Sequence, residues 1–371
     1  MSNARSEASV EALFKPFASK NLELSNRIVM APMTRGYSPD GVPGEDVAAY
    51  YRRRAENGVG LIITEGTLIN HPAAAANPNW PNFHGEAALR QWSKVVDAVH
   101  EAGGKIIPQL WHIGLTRKIG DLPNPDALPI GPSGLNLSGE KITEPLTENE
   151  IGEVIAAYAQ AAADAAKAGF DGIELHGAHG YLIDQFFWGK TNQRTDRYGG
   201  DLAARTRFAV EVVQACRRAV GADFPIVLRF SQWKAGQYTA KLAESPQQLL
   251  QFLTPLADAG VDVFHSSTRR YWEPEFDDSD LNLAGWTKKL TGKPTITVGS
   301  VGLDNEFRSS LGDAAKPASL ARLIERLENG EFDLVAVGRA LLADPEWAAK
   351  IRDNRTNELL DYDAFALKSL Y

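Results

Sequence analysis

The sequence predicts an α/β protein built as a single (β/α)8 TIM barrel, and three features carry that expectation. Eight short apolar runs recur along the chain, each separated from the next by loops bearing Gly or Pro and by a longer segment. Several of those longer segments are amphipathic at helical spacing, as in Leu89, Trp92, Val95, Val96 and Val99. Apolar strands alternating with such helices imply a parallel sheet covered by helices. Eight units favour closure into a barrel over an open doubly wound sheet.

Residues 1–10, MSNARSEASV, lack the apolar centre of a signal peptide and are expected to form a disordered tail, with 11–371 as the single barrel domain. Leu13, Phe14, Phe17, Leu22 and Leu24 surround Ser19-Lys20-Asn21, a turn-like centre, which predicts a short hairpin plugging the barrel bottom. The eight runs are Ile28 to Met30, Leu61 to Ile63, Ile106 to Leu110, Ile173 to Leu175, Ile226 to Leu228, Val261 to Phe264, Thr295 to Val298 and Leu334 to Val337. Helices are expected over 86–102, 148–168, 202–220, 246–259, 317–329 and 345–352. Two carry start and stop signals: Thr147 before and Gly169 after one, Ser245-Pro246 before and Gly260 after the other. The connections after strands three and six, 113–145 and 267–284, are long. As loops that follow strands they belong to the C-terminal rim, where barrels build active sites.

Hydrophobic residues at 44% and charged residues at 23% suit a soluble globular chain with a large core. The net charge of −8 and the scatter of Lys and Arg argue against nucleic acid as a partner. No apolar stretch is long enough to span a membrane, so no membrane role is expected. The one cysteine, Cys216, allows no internal disulfide and fits a reducing cytoplasm.

Most strands end in polar or glycine residues that core packing does not require, and these ends are expected to line one site. Gly299 and Ser300 after strand seven, with Gly338 and Arg339 after strand eight, form a candidate phosphate cradle: open backbone N–H groups beside a guanidinium. The alternative is a turn with an Arg–carboxylate pair. Gln109 and Arg229 suit the carbonyl and imide edge of a planar heterocycle, the alternative for Arg229 being a buried pair with Glu65 or Glu174. In GIELHGAHGY, Gly177 and Gly180 predict that the fourth strand stops at Leu175 and runs into a loop aiming His176, His179 and Tyr181 over the strand end. A metal reading of the two histidines would need a third ligand, for which Asp184 is nearest. The catalytic reading gives two imidazole donors to a carbonyl oxygen and a tyrosine that supplies a proton.

LFKPF from Leu13, NRIVMAPMTR from Asn26, TEG from Thr64, PQLWH from Pro108, HGAHGYLIDQFF from His176, NQRTDRYGG from Asn192, LRFS from Leu228 and VGRALLADP from Val337 together resemble the old yellow enzymes. These are FMN-dependent NAD(P)H oxidoreductases and ene-reductases on a (β/α)8 barrel. The resemblance implies tightly, non-covalently bound FMN, with NAD(P)H as co-substrate and a small electrophilic alkene as acceptor. It implies that Ala31, Pro32, Met33 and Thr34 pass beside the flavin, that Gly66, Gln109 and Arg229 hold the ring, and that Gly299, Ser300, Gly338 and Arg339 hold the phosphate. His176 and His179 would then bind the substrate carbonyl and Tyr181 would protonate the α carbon, with Trp111 and Trp272 beside the substrate. A monomer or homodimer is expected.

The chain is similar to the His–His subgroup, and Thr34 stands where another branch has cysteine. Ser231-Gln232-Trp233 replaces the commoner Ser-Pro, and the loop with Arg269, Arg270, Tyr271, Trp272 and Phe276 matches no family pattern. Arg269, Arg270 and Arg308 are candidates for a 2′-phosphate contact. The absence of a cysteine cluster argues against the iron–sulfur dienoyl reductases. An oxidative demethylase or dehydrogenase on the same scaffold, and a catalytically silent FMN- or phosphosugar-binding barrel, remain as alternatives.

Overall fold

The structure, a computed structural model, describes residues 9–19, 22–306 and 314–371. Most of the expected N-terminal tail, the hairpin tip Lys20-Asn21 and Arg308 lie outside those residues. Eight strands form the barrel: β1 (Ile28–Met30), β2 (Leu61–Leu68), β3 (Lys105–Trp111), β4 (Ile173–His179), β5 (Ile226–Lys234), β6 (Val263–Ser267), β7 (Thr295–Val298) and β8 (Leu334–Val337). Each pairs in parallel with its neighbours, and β8 pairs with β1 to close the cylinder.

Alternation along each strand sorts the side chains into two cores. Ile28, Ile62, Ile106, Ile173, Ile226 and Val335 join the helices in the outer cluster. Val29, Leu61, Ile63, Ile107, Val227, Val263, Ile296 and Leu334 fill the barrel interior. The antiparallel hairpin Phe17–Ser19 with Leu22–Leu24 adds Phe17, Leu22 and Leu24 to that same interior cluster, so it plugs the barrel as the sequence suggests.

The helix Glu148–Lys167 begins at Thr147 with a reciprocal capping box, in which the Thr147 hydroxyl accepts from Glu150 N–H and the Glu150 carboxylate accepts from Thr147 N–H. Ser245 caps Pro246–Ala259 with one bond, its hydroxyl accepting from Gln248 N–H, and Gly260 ends the helix in the left-handed region at φ 115°. Helices over Glu45–Glu56, Leu182–Phe187, Leu283–Thr291 and Arg339–Ala343 were not legible in the sequence. The first hides its period because its buried face includes Arg54, whose guanidinium is satisfied by the carbonyls of Tyr50 at 2.9 Å, Leu341 at 3.0 Å and Tyr371 at 2.7 Å.

The sequence places the end of the fourth strand too early. β4 continues through Gly177 to His179, because β5 runs alongside it as far as Lys234 with a register irregularity between Gly177 and His179. A Cβ on Gly177 would lie 3.0 Å from the Arg229 carbonyl, so the glycine permits close approach within the sheet rather than ending it. Among the described residues no helix is long and apolar enough to cross a membrane.

Thr147→Ala removes one half of the capping box and is expected to lower stability by about 1 kcal/mol. A drop in the urea midpoint with an unchanged slope would show it.

Candidate active site

Following the interior face upward, the layer above the apolar plug turns polar. Two residues beyond Ile107, Val227 and Val263 come Gln109, Arg229 and His265, all buried, and Glu174 stands among them. The Glu174 carboxylate accepts Gln109 Nε2–H at 2.7 Å and lies 2.7 Å from His265 Nδ1. Arg229 does not form the carboxylate pair that was its alternative reading. Its Nη2 reaches Ser267 Oγ at 3.3 Å and its Nε has no protein partner. Glu65 is occupied elsewhere, accepting the backbone N–H groups of Arg35 at 2.8 Å and Gly36 at 3.1 Å.

Above this layer opens a cavity of about 540 Å³, a size usual for small-molecule sites. His176, His179 and Tyr181 share one wall, with ring centroids 5.2 Å apart between the histidines and 4.9 Å between His176 and Tyr181. Trp111 lies near-parallel to His176 at 6.1 Å, and Trp233 stacks on His179 at 4.3 Å. Burial, and after it the Arg229 charge, holds both imidazoles well below their ordinary pKa, so both are neutral N–H donors. Burial raises the Tyr181 pKa, opposed by Arg229, so the phenol keeps its proton.

Several residues hold that wall in place. His179 has a left-handed backbone at φ 64°, uncommon for a non-glycine residue. Its N–H donates to Ser231 Oγ at 2.9 Å and its carbonyl accepts from Ala235 N–H at 3.1 Å. Next to it, Asp184 accepts Gly180 N–H at 2.7 Å and pairs with Lys234 Nζ at 2.8 Å, both side chains fully buried. Asp184 is thus a brace for the turn rather than a third ligand beside the histidines. Among the described residues no group of three or more His, Cys, Asp or Glu is arranged to hold a metal ion.

Across the cavity, Ala31, Pro32, Met33 and Thr34 form a second wall, and Gly299, Ser300, Gly338 and Arg339 form the far end. At Gly299, φ is 141° and a Cβ would sit 2.8 Å from the Thr268 carbonyl, so only glycine fits. Arg339 is fixed by Ser300 Oγ at 3.1 Å and by the side chain and carbonyl of Asn305 at 2.9 and 2.7 Å.

The sequence matches the NADH:flavin oxidoreductase / NADH oxidase family over residues 12–358. The chain belongs to this family, that of the old yellow enzymes. It is 43% identical over 359 residues to 12-oxophytodienoate reductase 7 of Oryza sativa subsp. japonica, covering 92% of this chain and 88% of that protein. It is 35% identical over 356 residues to an NADH oxidase of Thermoanaerobacter brockii, covering 94% of this chain but 52% of that longer protein. The crystal structure of Old Yellow Enzyme from Pichia sp. AKU4542 superposes with a TM-score of 0.79 at 27% identity, covering 96% of this chain and 90% of the other. As a family member the protein is an NAD(P)H-dependent oxidoreductase with FMN as its cofactor.

The cavity fits that cofactor on its own terms. Arg229 Nε is a buried donor without a protein partner, and Gln109, its amide N–H committed to Glu174, keeps its carbonyl oxygen as an acceptor. Such a pair suits a ring edge that offers both an acceptor and an N–H. Gly299 and the anchored Arg339 suit an anion at the far end.

Two expected residues stand outside the cavity. Gly66 does not line it; a Cβ there would meet the Trp111 ring at 2.6 Å, so the glycine makes room for that indole. Trp272 packs edge-on against Tyr271 at 5.2 Å, away from the cavity. The end of β2 as a whole serves as support, with Thr67 Oγ1 donating to the Gln109 carbonyl at 2.8 Å. His112 likewise turns away, to His71 at 3.0 Å. Trp233, Tyr238, Ser267 and Thr268 line the cavity without having been singled out as site residues. Arg269 also lines it, with its guanidinium 4.2 Å from the Tyr238 ring and 3.1 Å from Glu306. Arg270 pairs with Glu273 and Glu306.

Lys234→Met leaves the Asp184 carboxyl buried without its cation, and a loss of about 3–5 kcal/mol is expected. Chemical denaturation of the variant against wild type measures it.

Proposed function

We propose that the protein reduces the C=C bond of activated alkenes such as enones, with NAD(P)H as the source of electrons. The observation that carries this reading is the wall on which two neutral imidazoles and one protonated phenol converge. A relative named as a reductase of 12-oxophytodienoate supports it. When bound, FMN supplies the hydride chemistry.

The residues do the rest. His176 and His179 donate N–H groups to the oxygen of a conjugated carbonyl and stabilise the charge that grows there. Being neutral, they polarise the oxygen without handing it a proton. Tyr181 stands beside them as the acid for the carbon. Trp111 and Trp233 back the two imidazoles, exclude water and fix the ring planes.

The wall chemistry also bears on the amine-oxidising alternative. Arg229, Arg269 and Arg339 line the cavity, and among the described lining residues there is no carboxylate. Arg269 is paired with Glu306 and Arg339 suits the phosphate, so the charge a protonated N-methyl amine would meet beside the histidines is that of Arg229. Neutral, electron-poor alkenes suit the same surroundings.

Tyr181→Phe should leave reduction of the bound flavin by NAD(P)H intact and slow the alkene half-reaction by about 10²-fold or more. Stopped-flow measurement of each half-reaction separates the two, and equal losses in both would sink the assignment. The wild-type alkene half-reaction should show no loss of its acid up to about pH 9, because a tyrosine pKa raised above its usual value near 10 keeps the O–H in place across that range. A descending limb below that pH, present in wild type and absent in Tyr181→Phe, would contradict the raised pKa, and one that persists in Tyr181→Phe would belong to another group.

A further inference from the structure

His176 and His179 are wired in opposite ways. His176 Nδ1 accepts the Ala178 backbone N–H at 3.4 Å, which leaves its proton on Nε2. His179 has its Nε2 turned instead to Ser267 Oγ at 2.8 Å. We propose that Ser267 is a positioning residue that holds His179 as the Nδ1–H tautomer, so that the pair meets a substrate oxygen with one Nε2–H and one Nδ1–H. The inference rests on the reading of both histidines as donors to that oxygen.

The argument is a count of donors. Ser267 Oγ has two hydrogen-bond neighbours among the described residues, Arg229 Nη2 at 3.3 Å and His179 Nε2 at 2.8 Å. A guanidinium only donates, so the arginine occupies a lone pair of the hydroxyl. The hydroxyl proton then needs an acceptor, and Nε2 is the neighbour able to be one. Were Nε2 protonated, the oxygen would face two donors and its own buried O–H would go unused, which is costly at a residue only 2% exposed. Double protonation is excluded by the neutrality of the ring, which burial and Arg229 enforce. One proton remains to be placed, and Nδ1 takes it.

The surroundings lock the ring that way round. Trp233 stacks on the imidazole and donates its Nε1–H to the Ser267 carbonyl at 3.1 Å. A ring flip of His179 would break the hydroxyl contact while Trp233 still held Ser267 in place. The hydroxyl thereby connects His179 to Arg229, whose own Nε is unpartnered.

The test uses FMN-loaded protein labelled with [15N]histidine, whose seven histidines are few enough to resolve. Long-range 15N–1H correlation distinguishes a protonated from a bare ring nitrogen, and loss of one spin system in His179→Gln assigns it. Wild type is expected to show His179 with protonated Nδ1 and bare Nε2. Ser267→Ala is expected to lose that pattern and to weaken cyclohexenone binding about tenfold, the equivalent of one hydrogen bond, while Ser267→Thr keeps both. Protonated Nε2 in wild type, or an unchanged tautomer in Ser267→Ala, would overturn the proposal. If Ser267→Ala fails to fold, the wild-type spectrum decides alone. An Nδ1–H His179 in a protein that turns over no alkene would leave the tautomer assignment standing and remove the ene-reductase reading, so the two failures are distinguishable.

Discussion

Arg229 sets the electrostatics of the whole rim. It comes from the interior face of β5, one layer above Val227, where a charge has little water to lean on. No carboxylate pairs with it directly, so its field acts on its neighbours. It helps keep both imidazoles neutral, opposes the burial that raises the Tyr181 pKa, and orients the Ser267 hydroxyl. A carboxylate in salt-bridge contact would have cancelled those effects. Glu174 is near enough to offset part of the burden on the guanidinium, yet its oxygens are taken by Gln109 and His265. That division leaves Arg229 Nε for a ligand.

The rim holds such groups because the strands beneath it are rigid and their extensions are braced. β4 reaches His179 only with β5 beside it, and the irregular pairing after Gly177 puts His176 and His179 on one wall although they are three residues apart. The buried Lys234–Asp184 pair ties the end of β5 to the helix Leu182–Phe187 and fixes the turn between the histidines and Tyr181. Gly66 acts through absence, since its missing side chain is the space Trp111 occupies.

Much of this was legible because it follows from local rules. Apolar runs located all eight strands, and the Thr147 and Ser245 caps marked helix starts to the residue. Strand ends were harder, because glycine reads as a breaker when sequence alone is in view and as a point of close approach once a neighbouring strand is present. The polar layer contains the clearest missed signal. His265 lies two residues past Val263, so alternation along β6 assigns it to the interior, but ending the strand at Phe264 hid it. The placing of Trp272 and Trp233 depends on something less local. Both are aromatic residues near strand ends, and only the path of the chain after β5 brings Trp233 over His179. Which side the indole of Trp272 turns to depends on packing with Tyr271 and is not written in any spacing.

The hairpin at the N-terminal end has one more consequence. Phe17, Leu22 and Leu24 seal the barrel from below, so traffic between the cavity and solvent runs through the opposite end. Among the described residues that plug leaves no back door at the N-terminal end. Anything that enters from the C-terminal rim therefore meets the same wall of His176, His179 and Tyr181.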